Sequence, residues 1–343
     1  MTKSEAMEKL EVGMVRERLL YRTQQTYRGC VMRFLTWAAG RWSANTREQV
    51  VSDYLGEHAG NWSAATQNQA LNAIVFFFKK AIEKPLGELP QWTYAQRSKR
   101  LPVWLSHDEA FAVLGQMSGL SKLACQLMYG AGLRISEVTR LRRRDINWSE
   151  AMIVVRDGKG EKDRVTCLPI SLISDLRAQD SRAAAQWQED RDRNVDPVWM
   201  PDCMVRKYPK SGLEEGNFWL LPSAGLAQDK QWGRVRHHIH PDTLSKAIPV
   251  AARRARVLKH VKAHVFRHSF ATEYLMQGGV IHDLQALLGH TTIETTQIYL
   301  HCLPKLAARI TSPLDRVPGN VVQFDRTFTP SVNIPEPLKA VSQ

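Results

Sequence analysis

The residues best suited to chemistry in this sequence are cations, imidazoles and one phenol, spaced so that they could act together on a phosphate. His264 and Arg267, in Ala-His-Val-Phe-Arg-His-Ser-Phe-Ala-Thr, stand three apart and would share one face of a helix, where they could hold two oxygens of a phosphodiester. Phe266, Phe270 and Tyr274 run beside them at helical spacing as a largely apolar stripe. By itself the pair means little, because 11 His and 30 Arg in a chain of this length should produce one such spacing roughly once by chance. Four other features point the same way. Arg134 follows Gly130 and Gly132, which should end one helix as Arg134 enters the next, with Glu137 three residues on to orient its guanidinium. Lys159 sits in a glycine-containing turn between two strand-like runs. His290 directly follows Gly289 at a helix end, and Tyr299 comes nine residues later between Ile298 and Leu300. Each has an ordinary reading as a surface Arg, a turn Lys, a capping His or a core Tyr. Their order along the chain is the informative part.

The elements that must position these groups can be read from periodicity. Helical spacing covers residues 23–39, with Tyr27, Val31, Phe34 and Leu35 on one side, and 70–82, with Leu71, Ile74, Val75 and Phe78. Pro85, Gly87, Pro90 and the basic run to Pro102 break this pattern and read as a linker. Ser106-His-Asp-Glu109 has the form of a capping box and opens a second helical region. A helix is expected over 137–144, strands over 151–156 and 164–168, and an irregular stretch over 182–240. Helices should resume from Asp242, over 264–277, over 281–288, and from near Thr291, where Glu294 could complete another capping box. The predicted organisation is a helical domain over 1–88, a linker over 89–105, a second domain over 106–310 with an inserted segment at about 190–216, and a mobile tail over 311–343.

Composition limits the partners. The chain has 343 residues and 47 Lys and Arg against 34 Asp and Glu, a net charge of +13. Residues 1–100 carry 15 basic and 9 acidic groups, making them about twice as basic per residue as the rest. Such an excess implies a polyanion. The longest apolar run, 73–78, is too short to span a bilayer, and Thr2-Lys3-Ser4-Glu5 is too charged for a secretory signal, so a cytoplasmic, nucleic-acid-facing protein is expected rather than a membrane one. A 43% hydrophobic content with ten Trp and ten Phe excludes a disordered basic arm. Cys30, Cys125, Cys167, Cys203 and Cys302 are scattered and read as buried thiols, without disulfides or a zinc knuckle.

The segments Gly132-Leu-Arg-Ile-Ser-Glu137, Gly158-Lys-Gly160, His264-Val-Phe-Arg-His-Ser-Phe-Ala-Thr272, Leu288-Gly-His290 and Tyr299 together resemble the tyrosine recombinase, or phage integrase, superfamily. The resemblance covers essentially residues 101–303. It implies a mainly α fold with a small antiparallel β-sheet, in which a SAM-like helical core-binding domain and the catalytic domain form a C-shaped clamp on DNA. It further implies that Tyr299 attacks phosphorus to form a 3′-phosphotyrosine, that Arg134 and Arg267 clamp the phosphate oxygens, and that His264 and His290 bond the phosphate or move the tyrosine proton. Lys159 would be the acid for the 5′ oxygen and Glu137 a support for Arg134. These residue types suit the task, since breaking a phosphodiester without metal needs a nucleophile, fixed positive charge and a proton donor. No carboxylate cluster of Mg²⁺ type is present, so neither metal nor cofactor is expected. The family also implies a homo-tetramer on two DNA sites, a free protein that is monomeric or weakly associated, and a C-terminal helix near 304–309 that docks on a neighbouring copy.

Within the superfamily, the stretch from Val205-Arg206-Lys207-Tyr208-Pro209 through Leu221-Pro-Ser223 to Arg236-His237-His238-Ile239-His240, with Thr311-Ser-Pro-Leu-Asp315 beyond the tyrosine, is most similar to integron integrases. In that group the inserted segment helps bind folded single-stranded cassette sites. Phe218, Trp219, His237, His238 and His240 could then stack on bases outside the helix, with Arg206 and Lys207 nearby on DNA. The family pattern has a further Trp just before Phe218, where Asn217 stands here. The histidine group lacks a second set of ligands at fixed spacing and is read as contacting base or phosphate, or as structural, rather than as a zinc site. A Xer-like or phage-type integrase on duplex sites, and a type IB topoisomerase-like enzyme, are the alternatives.

Overall fold

Apolar residues at helical spacing need a partner surface, and in the first hundred residues they find it in one another. The computed structural model describes residues 2–42, 46–89, 102–156, 163–229 and 232–300. The chain divides into two units, residues 1–100 and 101–343. In the first, α1 (Lys3–Arg16), α2 (Tyr21–Trp37), α3 (Arg47–Ala59) and α4 (Ala64–Phe76) enclose Leu10, Met14, Val31, Leu55 and Ile74. Rings centre on Phe34, which meets Tyr54 at 5.3 Å and Phe78 at 6.2 Å, both nearly edge-on. α4 begins earlier than its apolar spacing indicates, because Ser63 accepts a hydrogen bond from the Thr66 amide. It then widens into a π-helical turn over Phe77–Ala81, which lets the consecutive Phe77 and Phe78 both point inward.

The second unit opens at the expected capping box: Ser106 Oγ accepts from the Glu109 amide and Glu109 from the Ser106 amide. α5 (His107–Gly115) leads to α6 (Gly119–Ala131), whose Leu123, Ala124, Leu127 and Met128 form the middle of the core. α7 covers only Ile135–Thr139, not the whole of 137–144. The chain leaves the helix because Arg142 pairs with Trp219 in an antiparallel bridge, and the Leu220 amide bonds Leu141 O at 2.8 Å. Three antiparallel strands follow in the order β1 (Ile146–Asn147), β2 (Met152–Val155), β3 (Arg164–Cys167), with Ile153 opposite Thr166 and Val155 opposite Arg164. Ile153 and Val155 face the core while Met152 and Val154 do not, as a two-residue repeat requires.

The stretch from 182 is not irregular at its start. α8 (Ile173–Asp192) runs twenty residues, carried by Ala183-Ala-Ala185 and burying Leu176, Gln179, Ala183 and Asp190 along one side. α9 (Asp202–Lys207) and a two-stranded hairpin, β4 (Ala227–Asp229) with β5 (Gly233–Val235), follow. A buried ion pair ties these parts together: Arg236 donates to both carboxylate oxygens of Asp190, at 2.6 and 2.7 Å, and to the carbonyls of Ser223 and Ala224. α10 (Pro241–Arg254), α11 (Ala263–Met276), α12 (Ile281–Leu288) and α13 (Glu294–Gln297) complete the described part. α11 lies against α6, and Ser269 Oγ accepts the Leu105 amide. α13 is a single turn without a side-chain cap, so Glu294 does not make the expected capping box, and Tyr299 stands just past its end. The fold is thus mainly helical with small antiparallel sheets. Cys30 and Cys125 are buried as expected, whereas Cys167 and Cys203 are exposed. Among the described residues no helix is long and apolar enough to cross a membrane. Most of the expected linker, the Lys159 turn, the segment near 304–309 and the tail fall outside the described residues.

Candidate active site

Two glycines in the left-handed conformation set up the site. Gly132 (φ +65°) ends α6, and a Cβ there would lie 2.6 Å from Phe270. The chain then extends through Arg134, which precedes the first turn of α7, and Glu137 reaches back to accept both the Arg134 amide and its Nη1, each at 2.7 Å. Gly289 (φ +62°) ends α12 in the same manner, with a Cβ position 2.7 Å from Arg164 Cδ, and places His290 next to it.

Glu137 is the hub. Arg164, the first residue of β3, donates Nη1 and Nη2 to its two oxygens at 2.8 and 2.7 Å and its Nε to Leu287 O at 2.9 Å. Arg267 Nη1 stands 3.7 Å from the same carboxylate. Three guanidinium groups therefore surround one buried carboxylate. Burial would push Glu137 up, but the bidentate bond and charge of Arg164, then the bonds from Arg134, hold it at about 2. One negative charge against three positive ones leaves a site poised for an anion.

Arg267 sits on α11 and is almost fully buried. Its Nη1 donates to Gly132 O and its Nη2 to Leu288 O, each at 2.5 Å. Burial first, and the charge of Arg134 second, lower it to about 9, so it keeps its charge at neutral pH. Its Nη2 also meets His290 Nε2 at 3.4 Å. A guanidinium nitrogen is a donor, so His290 turns a bare Nε2 toward it and donates Nδ1–H to Thr296 Oγ1, 2.9 Å away. Burial and the Arg267 charge pull His290 down to about 4, which agrees with this neutral form.

Tyr299 is 2% exposed, packed with Ala271, Leu275, Leu284 and Leu288, its ring nearly parallel to His290. Its hydroxyl lies 2.9 Å from Nδ1 of His268. His264, one turn before His268 on α11, is exposed, with its ring 6.5 Å from that of His268. Arg134, Glu137, His264, Arg267, His290 and Tyr299 thus gather at one place. Two residues of the cluster were not singled out in the sequence. Arg164 carries no local motif, since its role depends on strand register. His268 lay in view beside Arg267, four residues after His264.

The residues expected to touch bases lie elsewhere. Phe218 and Trp219 are 1% and 2% exposed and offer no open face, which overturns the stacking expectation for both. The bridge to Arg142 draws them inward, where they pack with Ala183 and Val198. Trp219 Nε1 donates to Arg236 O, and the Arg142 guanidinium covers its ring at 4.2 Å. His238 packs edge-on to Trp219, and His240 accepts the Asp242 amide at the start of α10. His237 is half-buried, while Arg206 and Lys207 are exposed in the last turn of α9. Among the described residues no group of three or more His, Cys, Asp or Glu stands together for a metal.

A buried phenol beside three guanidinium groups and two imidazoles has the charge and the nucleophile that phosphoryl transfer requires. Residues 104–305 match the phage integrase family, and residues 6–88 match the phage integrase N-terminal SAM-like domain. An integrase/recombinase of Escherichia coli and one of Pseudomonas aeruginosa are each 38% identical over 315 residues, covering 90% of this chain and 94% of theirs. The fold is similar to that of a lambda integrase dimer bound to a COC′ core site (TM-score 0.60, 15% identity, 87% of this chain and 95% of that one). It is also similar to XerH site-specific recombinase in a post-cleavage complex with palindromic difH (TM-score 0.57, 20% identity, 84% and 79%). The chain belongs to the phage integrase family. It is a tyrosine recombinase, an enzyme that transfers DNA strands.

Proposed function

We propose that this protein is an integron-type integrase, which inserts and excises gene cassettes by cutting and rejoining DNA at Tyr299. The observation that carries the catalytic part is the meeting of Tyr299 with the Arg134–Glu137–Arg164–Arg267 cluster and His290. A phosphodiester entering there would meet the outward side of Arg134, whose side chain is 19% exposed, and the remaining N–H groups of Arg267. Tyr299 Oη attacks phosphorus in line with the 5′ oxygen, which departs with a proton from Lys159, leaving a 3′-phosphotyrosine. His264 bonds the phosphate, while His290, held by Thr296 and Arg267, keeps that arginine beside the tyrosine ring. Guanidinium charge performs the neutralisation that a metal ion performs in other phosphoryl transfers, and the reaction is metal-independent.

Binding follows from charge. The basic first unit and the second unit each contact DNA, and the active form is a tetramer on two sites. The inserted segment at about 190–216 gives cassette specificity, and the exposed Arg206 and Lys207 supply contacts there. The relatives at 38% identity carry the general name integrase/recombinase, which supports recombination as such. The second reading, a Xer-like or phage-type enzyme on duplex sites, draws on the likeness of fold to XerH and lambda integrase.

A nicked suicide duplex tests the chemistry: wild-type protein should form a covalent protein–DNA adduct, and Tyr299→Phe none. Persistence of the adduct in Tyr299→Phe defeats the assignment. Preference for the folded bottom strand of a cassette site over its duplex form tests the integron reading. Equal recombination of duplex sites by a variant lacking residues 196–216 favours the second reading, and relaxation of supercoils without strand exchange favours a topoisomerase.

A further inference from the structure

Two imidazoles, those of His268 and His290, meet the tyrosine, and their nitrogens have different occupations. Those of His290 meet Thr296 and Arg267, while the ring runs almost parallel to the phenol. His264 is exposed one helical turn away. His268 directs Nδ1 at the hydroxyl itself, at 2.9 Å, from the rigid middle of α11. We propose that His268 is the base for the nucleophile: as Tyr299 Oη bonds to phosphorus, its proton passes to His268 Nδ1.

This rests on Tyr299 being the nucleophile. A lone pair of the phenol oxygen forms the new O–P bond, and the P–O5′ bond breaks with its electron pair on O5′, which takes a proton from the acid on the leaving side. The phenol proton stays on His268 as imidazolium. On rejoining, O5′ attacks phosphorus, the Tyr–O–P bond breaks, and imidazolium returns the proton to the phenol oxygen.

The surroundings suit such a base. Burial, then His264 on the same helix and the adjoining Arg267, lower His268 to about 4. His290 is the further titratable group facing it, from beyond α12, and it is neutral as well. In free protein the imidazole is therefore unprotonated, and the 2.9 Å contact is phenol O–H donating to a bare Nδ1. A DNA phosphate brings the negative charge that offsets Arg267 and raises the imidazole toward the range where it can accept a proton. The base becomes competent when substrate arrives.

The test uses the full-length protein, the nicked suicide duplex and single-turnover cleavage, comparing His268→Asn, His268→Gln and His264→Asn. The Asn and Gln amides can still accept a hydrogen bond from the phenol but cannot take its proton. Each variant is also prepared with Tyr299 replaced by a fluorinated tyrosine, whose more acidic phenol needs less help. The expected result is cleavage slowed by about a hundredfold or more in His268→Asn with DNA affinity retained, and a fluorotyrosine gain of at least about tenfold in that variant and not in wild type. His268→Gln serves if His268→Asn does not fold. Cleavage within about threefold of wild type, or faster, would mean that His268 merely holds the tyrosine and overturns the proposal, as would rescue confined to His264→Asn or a slow His268 variant that fluorotyrosine leaves unchanged. Absence of any adduct with wild-type protein instead defeats the nucleophile assignment itself.

Discussion

Replacing Glu137 by Gln removes one negative charge from among three guanidinium groups while keeping the side chain's shape. The carboxyl is 6% exposed and held at about 2 against an ordinary value of 4.5. At about 1.36 kcal/mol per pH unit, that lowering is worth about 3 kcal/mol of folding stability at neutral pH. The contribution is fully present above the unfolded value of 4.5 and is lost as pH falls through about 2, since the folded carboxyl is the more acidic. The same linkage leaves about 1.4 kcal/mol at pH 3. Removing one partner from a buried charge group costs about 3–5 kcal/mol in comparable cases, so the two routes to the number agree. Urea unfolding of wild type and Glu137→Gln, at neutral pH and at pH 3, should therefore give a stability difference that roughly halves on acidification. A difference below about 1 kcal/mol at neutral pH, or one that does not change with pH, would refute the view that this carboxylate balances the three arginines.

Gly289→Ala should cost about 1–2 kcal/mol for its left-handed backbone and also displace Arg164 from Glu137, because the new methyl would fall 2.7 Å from Arg164 Cδ. Suicide-substrate cleavage should fall well beyond what the melting temperature explains, and unchanged cleavage would contradict the contact. Asp190→Asn should destabilise by about 3–5 kcal/mol by stranding Arg236, which is 5% exposed, whereas removing Glu189 from its exposed pair with Arg193 should cost less than about 1 kcal/mol; denaturant unfolding of both variants checks the contrast.

Features governed by local rules were readable in advance. The Ser106 box, the helix carrying His264 and Arg267, the glycine stops at Gly132 and Gly289 and the strands flanking Lys159 all follow from neighbours within a few residues. Features decided by distant pairing were not. α7 stops short because Arg142 pairs with Trp219, seventy-odd residues away, and that same bridge buries Trp219 and Phe218, whose setting among prolines and glycines looks like an open loop. Arg164 reaches Glu137 only through the register of β3 against β2 and its bond to Leu287 of α12. His268 shows what a motif can hide: its position was plain, but its meeting with Tyr299 depends on how the turn after α13 folds back onto α11.

Arg267 holds together the two glycine turns through Gly132 O and Leu288 O while presenting its charge beside His290. One side chain thus acts as both a mechanical fastener and an electrical contact. Lysine could keep the charge but lacks the planar fork that spans two carbonyls, and glutamine could bridge but carries no charge. Substitutions at this position would therefore separate the two jobs: lysine would keep the charge and loosen the glycine turns, and glutamine would keep a bridge and lose the charge.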